Sequence, residues 1–146
     1  MCRRMKALVS MGSIVTPNLT EACILTDRPY RKKGWTREGL KEMARDIQAM
    51  GPESVVITGV NQGGYLVNVV AEGEREVSFP KTIRVGQERP GTGDVFSSVV
   101  AAAAVRGWKL EDGVRLAASF VKQCIRRSEE LKIPTANGVC FEEVMD

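Results

Sequence analysis

"QERPGTGDVFSSVVAAAAV", residues 87–105, sets a proline, two glycines, a threonine and an aspartate at the mouth of a long apolar run. Glycine and proline close to a helix interior cost stability, so their placement asks for a reason. The run over 93–106 is apolar on nearly every face and predicts a deeply buried helix. A helix start leaves its first N–H groups unpaired and carries about half a positive charge. Gly91 and Gly93 would let a ligand approach the backbone and turn several N–H groups toward one point, an anion hole of the kind phosphates occupy. Asp94 follows, placed to take a proton from a hydroxyl attacking phosphorus. A plain turn with an acid favoured by the helix dipole accounts for the same residues, and "GTGD" alone does not decide between the two.

Working outward, Val114, Ala117, Ala118, Val121 and Ile125 form one apolar stripe on a second helix over 110–126. Upstream, a helix is expected over 2–10. "SIVTPN" (13–18) predicts a short strand stopped by Pro17, with Asn18 capping a helix through "LTEACIL". Leu40, Met43, Ala44 and Ile47 sit at helical spacing within 36–50, and Gly51-Pro52 ends that segment. "SVVITGV" (54–60) is a continuous β-branched run of the kind found in buried parallel strands. Strand, helix and strand in this order make a right-handed βαβ unit. "GGYLVNVVAEGEREVSF" (63–79) predicts a hairpin joined near Glu72-Gly73, followed by a loop over 80–90. The sum is an α/β sheet of few strands with substantial helix.

The 146 residues, 43% hydrophobic, suit one compact domain. No run approaches the ~20 apolar residues that cross a bilayer, and the first residues lack the apolar core of a secretion signal. A net charge of +3 is too small to imply nucleic acid. The basic cluster "RPYRKKGW" (28–35) is expected to be a solvated loop. Cys2, Cys23, Cys124 and Cys140 include no C-x-x-C pair, and histidine is absent, so a zinc site is not expected. The cysteines are expected to be reduced, mostly buried thiols of a cytoplasmic protein. Absence of histidine also removes Ser-His-Asp and Cys-His hydrolysis, leaving proton transfer to a carboxylate or a lysine.

Two further motifs bear on phosphate chemistry. In "TPNLTEA" (16–22), Asn18 and Glu21 stand in the N-cap and N3 relation of a capping box, which their spacing alone favours. The alternative is that Glu21 holds, through water, a magnesium ion on a nucleotide's phosphates. Thr58 and Gly59 end the "VVITG" strand where open α/β sheets place ligands, though a strand-to-loop turn explains them too. No G-x-x-x-x-G-K-[ST] loop is present, and Phe96 occupies the place of the third glycine in G-x-G-x-x-G.

"TPNLTEA", "VVITG" and "RPGTGD-F", in that order, resemble the C-terminal half of ribokinase-like kinases, specifically the pyridoxal (vitamin B6) kinase branch. The resemblance runs from about Ser13 to the end of the chain. It implies a parallel-rich sheet flanked by helices and transfer of the ATP γ-phosphate to the 5′-hydroxyl of pyridoxal, pyridoxine or pyridoxamine. Asp94 would then be the base, and the amides of Gly91, Thr92 and Gly93 would stabilise the transferring phosphoryl group. Asn18 and Glu21 would organise magnesium and the phosphates, Thr58 would touch ATP, and the loop 80–90 would border the adenine. A monovalent cation and a homodimer belong to the same expectation; nucleic acid and membrane do not. Hydroxymethylpyrimidine kinases are similar but usually carry G-T-G-C, with cysteine where this sequence has Asp94. In the family this element lies in the second half of a chain about twice as long. Residues 1–146 are therefore expected to form the nucleotide- and phosphate-binding half of a kinase domain, a very poor kinase alone. A non-catalytic nucleotide-binding fragment is the rival reading.

Overall fold

The computed structural model describes residues 2–145, which divide into two compact units that part between residues 81 and 82. In the first, helix α1 (Cys2–Met11) precedes a two-residue strand β1 (Ile14–Val15) and helix α2 (Leu19–Leu25). Helix α3 (Arg37–Gln48) starts at Thr36, whose hydroxyl accepts the Gly39 N–H at 3.0 Å, and Gly51-Pro52 follows its end. Strands β2 (Ser54–Gln62) and β3 (Tyr65–Glu72) follow, and with β4 (Lys81–Ile83), which starts at the last residue of this unit, the sheet has the order β1-β2-β3-β4. The expected βαβ unit is present: β1 pairs parallel with β2, Ile14 opposite Ser54 and Val15 opposite Val55.

β2 differs from the sequence expectation. It is parallel on one side and antiparallel on the other, where β3 pairs with it along its length. Nor does it end at Thr58-Gly59. Its register with β3 shifts between Ile57 and Val60, so two residues oppose Asn68 alone, and Gly59 takes a left-handed φ of 75°. This is a β-bulge. It keeps Val60 on the same face as Val55 and Ile57; a regular strand would have turned it away. These residues, with Val67, Val69 and Ala71 of β3, pack against Leu19, Ala22, Cys23 and Leu25 of α2 and Leu40, Met43, Ala44 and Ile47 of α3. Each fully buried aliphatic side chain of this set is worth about 1.5–3 kcal/mol. Val56 and Val70 alternate to the opposite face and are buried too.

The hairpin expected over 63–79 is reduced. After the turn at Glu72-Gly73 a single antiparallel bridge, Val70 to Ser78, forms. The longer hairpin is β2–β3, closed by Gly63-Gly64. Arg45 and Gln48 of α3 hold the 72–75 turn, donating to the Gly73 carbonyl at 2.6 and 3.1 Å. β4 occupies part of the segment expected to be loop. The basic segment 28–35 carries an Arg28–Asp46 ion pair at 2.7 Å, and the Arg31 guanidinium stacks over Trp35.

In the second unit, α4 (Thr92–Val105) packs against α5 (Leu110–Glu130), with short 3-10 turns at Thr135–Asn137 and Glu142–Val144. The expectation of an all-round buried α4 is corrected. Only Phe96, Val100 and Ala103 are buried, and Val105 is 89% exposed. Alanine-rich sequence is apolar without carrying much area that must be hidden. On α5 the expected stripe is buried at Val114, Ala117 and Ile125, while Ala118 and Val121 are half-exposed. Cys23 and Cys124 are buried free thiols whose pKa burial pushes up, and Cys140 is half-exposed and free. The Cys2 side chain lies outside the described part of the structure. Among the described residues no helix is long and apolar enough to cross a membrane.

Candidate phosphate and nucleotide site

In the first unit, β1 delivers Asn18 beside Thr58. The two are partners in a parallel bridge, and the Thr58 N–H donates to the Pro17 carbonyl at 2.9 Å. Pro17 is buried, and Asn18 then turns the chain into α2. The capping box is complete. The Glu21 N–H donates to Asn18 Oδ1 at 2.9 Å, and the Asn18 N–H donates to Glu21 Oε2 at 2.9 Å. The local role read from spacing is therefore met, and the exposed Glu21 carboxylate is held in one orientation with an oxygen already engaged. Asn18 thus stands between Glu21 and Thr58, bonded to the first and bridged to the second, where the parallel part of the sheet stops.

In the second unit, Gly91, Thr92, Gly93 and Asp94 form the start of α4. Gly91 is the N-cap in the left-handed region, φ 85°, and no side chain caps the helix. Thr92 turns inward: its hydroxyl donates to the Arg89 carbonyl at 3.0 Å, and its N–H reaches the same oxygen at 3.4 Å. Among the described residues no hydrogen bond takes up the N–H of Gly91, Gly93 or Asp94. A Cβ built on Gly91 or on Gly93 would meet nothing within 4 Å. Here, then, are unfilled amides and a bare backbone at the positive end of a 14-residue helix. Asp94 is exposed in its first turn, and its carboxylate makes no hydrogen bond or ion pair among the described residues. Such a group can accept a proton from a neighbouring hydroxyl.

Arg89 is a residue that the sequence reading passed over. It is 7% exposed, and its Nη1 donates to the carbonyls of Ile133, Pro134 and Gly138 at 3.0, 3.4 and 3.0 Å. The signal was an arginine directly before the P-G-T-G turn, but no local pattern announces partners so far along the chain. Among the described residues no group of three or more acidic, cysteine or histidine side chains could cage a metal.

Residues 1–139 match the phosphomethylpyrimidine kinase family. A hydroxymethylpyrimidine/phosphomethylpyrimidine kinase of Aquifex aeolicus is 28% identical over 124 residues, 84% of this chain and 47% of that protein. A crystal structure from Bacteroides thetaiotaomicron, described as a phosphomethylpyrimidine kinase and holding pyridoxal, superposes with a TM-score of 0.91 at 28% identity, over 99% of this chain and 51% of that one. A Staphylococcus aureus pyridoxal kinase in complex with ADP has a TM-score of 0.71 at 26% identity, over 83% of this chain and 44% of that one. The chain spans about half the length of the curated relatives it matches. On its motifs, its fold and a family match that spans nearly all of it, the chain belongs to the phosphomethylpyrimidine kinase family, within the ribokinase-like group.

Proposed function

We propose that this chain carries the nucleotide- and phosphate-binding half of an ATP-dependent kinase acting on the 5′-hydroxymethyl group of pyridoxal and its vitamers. The observation that carries the reading is the uncapped start of α4, with open space over Gly91 and Gly93 and Asp94 one residue further on. The cradle that a Cβ would fill fits the end of a triphosphate. In the transfer, the substrate hydroxyl oxygen forms a bond to the γ-phosphorus as the bond from that phosphorus to the β–γ bridging oxygen breaks. Asp94 accepts the hydroxyl proton, and ADP leaves. The unfilled amides of Gly91, Gly93 and Asp94 stabilise the negative charge on the transferring group. Thr58, beside Asn18, borders the nucleotide's phosphates. With no acidic cluster among the described residues to cage it, magnesium fits as a hydrated ion on the phosphates, which Glu21 would hold through water and which would neutralise their charge.

Hydroxymethylpyrimidine is the second substrate reading, favoured by the family match and the Aquifex relative; Asp94 in place of the cysteine of G-T-G-C favours the vitamin B6 reading. The test has two arms. Titrating a non-hydrolysable ATP analogue while following backbone amide resonances should move Gly91, Thr92, Gly93 and Asp94 most; shifts confined elsewhere would remove the phosphate site. ADP release measured with pyridoxal and with hydroxymethylpyrimidine should favour pyridoxal, at a rate for this chain far below that of the longer relatives.

A further inference from the structure

We propose that Arg89 is the positioning residue of the phosphate turn: its buried guanidinium, donating to the carbonyls of Ile133, Pro134 and Gly138, locks the 133–138 segment to residues 89–94 and thereby fixes where the Gly91–Asp94 amides point. The binding arm of the test below rests on the nucleotide reading; the structural arm does not.

Three observations meet at this residue. First, Arg89 is buried with its charge, and among the described residues no carboxylate answers it. Burying an unpaired cation is costly unless dipoles replace the lost water. Here one nitrogen gathers three carbonyl oxygens from a single short segment. That segment cannot move away without stranding both the charge and the carbonyls. Second, the Arg89 main-chain carbonyl accepts both the hydroxyl and the N–H of Thr92. The side chain thus grips 133–138 while the backbone of the same residue sets the first turn of α4. Third, the two segments approach each other at two further points. A Cβ on Gly138 would stand 3.1 Å from the Pro90 carbonyl, and the Thr135 hydroxyl lies 3.4 Å from Gln87 Oε1. The end of α5 aims the segment at this contact. Lys132 adopts a left-handed φ of 54°, and the Ile133 N–H returns to the Ser128 carbonyl at 2.9 Å, a Schellman-type stop.

The consequence is pre-organisation. Amides unpaired in the free protein would otherwise wander, and an anion would have to order them on binding. Arg89 removes that cost without touching the nucleotide.

The test compares Arg89→Met, Arg89→Lys and a control, Val114→Ala, which loosens the core of the same unit away from the turn. In the free protein, backbone order parameters at 91–94 should stay near about 0.85 in the parent and the control and fall below about 0.6 in Arg89→Met. Arg89→Lys, which keeps a cationic donor, should recover most of the loss. The affinity for ATP should drop at least about tenfold in Arg89→Met, while that for adenosine changes by less than about twofold. Equal order parameters in Arg89→Met and Val114→Ala would overturn the proposal, as would equal losses for ATP and adenosine. Should the parent chain bind no ATP at all, the nucleotide reading fails, and the order parameters still decide the role of Arg89.

Discussion

Helices α2 and α4 both start just after a proline, Pro17 and Pro90, and solve the same problem in opposite ways. α2 spends two side chains on its own first turn: Asn18 and Glu21 satisfy each other's backbone N–H. α4 spends none, because its N-cap is a left-handed glycine and its third residue is the acid Asp94. A capping box is worth about 1 kcal/mol to a helix, and α4 forgoes it. A helix start that closes itself needs no partner; one left open leaves its donors to water or to a ligand.

The largest effect tests what the open start is for. Asp94→Asn keeps the size of the side chain and removes its ability to take a proton. Phosphoryl transfer, measured as ADP release, should fall by about two to four orders of magnitude while ATP affinity stays put. Turnover that survives the change would end the base assignment. Next come the glycines, where stability and binding should part company. Gly93→Ala places a methyl in empty space on a helical residue, so the protein should gain about 0.5–1 kcal/mol in chemical denaturation. ATP binding by calorimetry should nevertheless weaken at least about tenfold, since the methyl enters the cradle. Gly91→Ala should lose both, the φ of 85° adding about 1–2 kcal/mol of strain. If Gly93→Ala bound ATP like the parent, the cradle would be an ordinary turn.

The two helix starts also mark what can be read from residues alone. Asn18, Glu21 and the apolar spacing of α3 act over three or four positions, so sequence exposes them and the structure repeats them. The bulge at Thr58-Gly59 was hidden. A glycine after a β-branched run looks like a strand's end, and only the partner β3 reveals that the strand continues one residue out of step. α4 misled in another way, because periodicity reports how apolar a face is and not what stands opposite it. For Arg89 the information is wholly non-local. Its carbonyl partners lie 44, 45 and 49 residues away, and nothing near position 89 encodes them. The residues themselves mark the turn; only the fold shows the carbonyls gathered around Arg89 beside it.

The smallest effects decide whether the closed start is only structural. Asn18→Ala deletes the cap acceptor of the Glu21 N–H, which should cost about 1 kcal/mol in thermal or denaturant unfolding. Glu21→Gln is the sharper change. The glutamine carbonyl can still accept the Asn18 N–H, so unfolding should shift by no more than a few tenths of a kcal/mol. What the substitution removes is a negative charge held at a fixed place by the Asn18 N–H. Were Glu21 a cap and nothing more, the affinity for ATP would respond to magnesium in the variant as it does in the parent. If the carboxylate orients a hydrated magnesium ion on the phosphates, the variant should need several-fold more magnesium for the same ATP affinity while its stability is unchanged. A capped helix and a metal-organising carboxylate would then be one side chain, closed toward its own backbone through one oxygen and open to the nucleotide through the other.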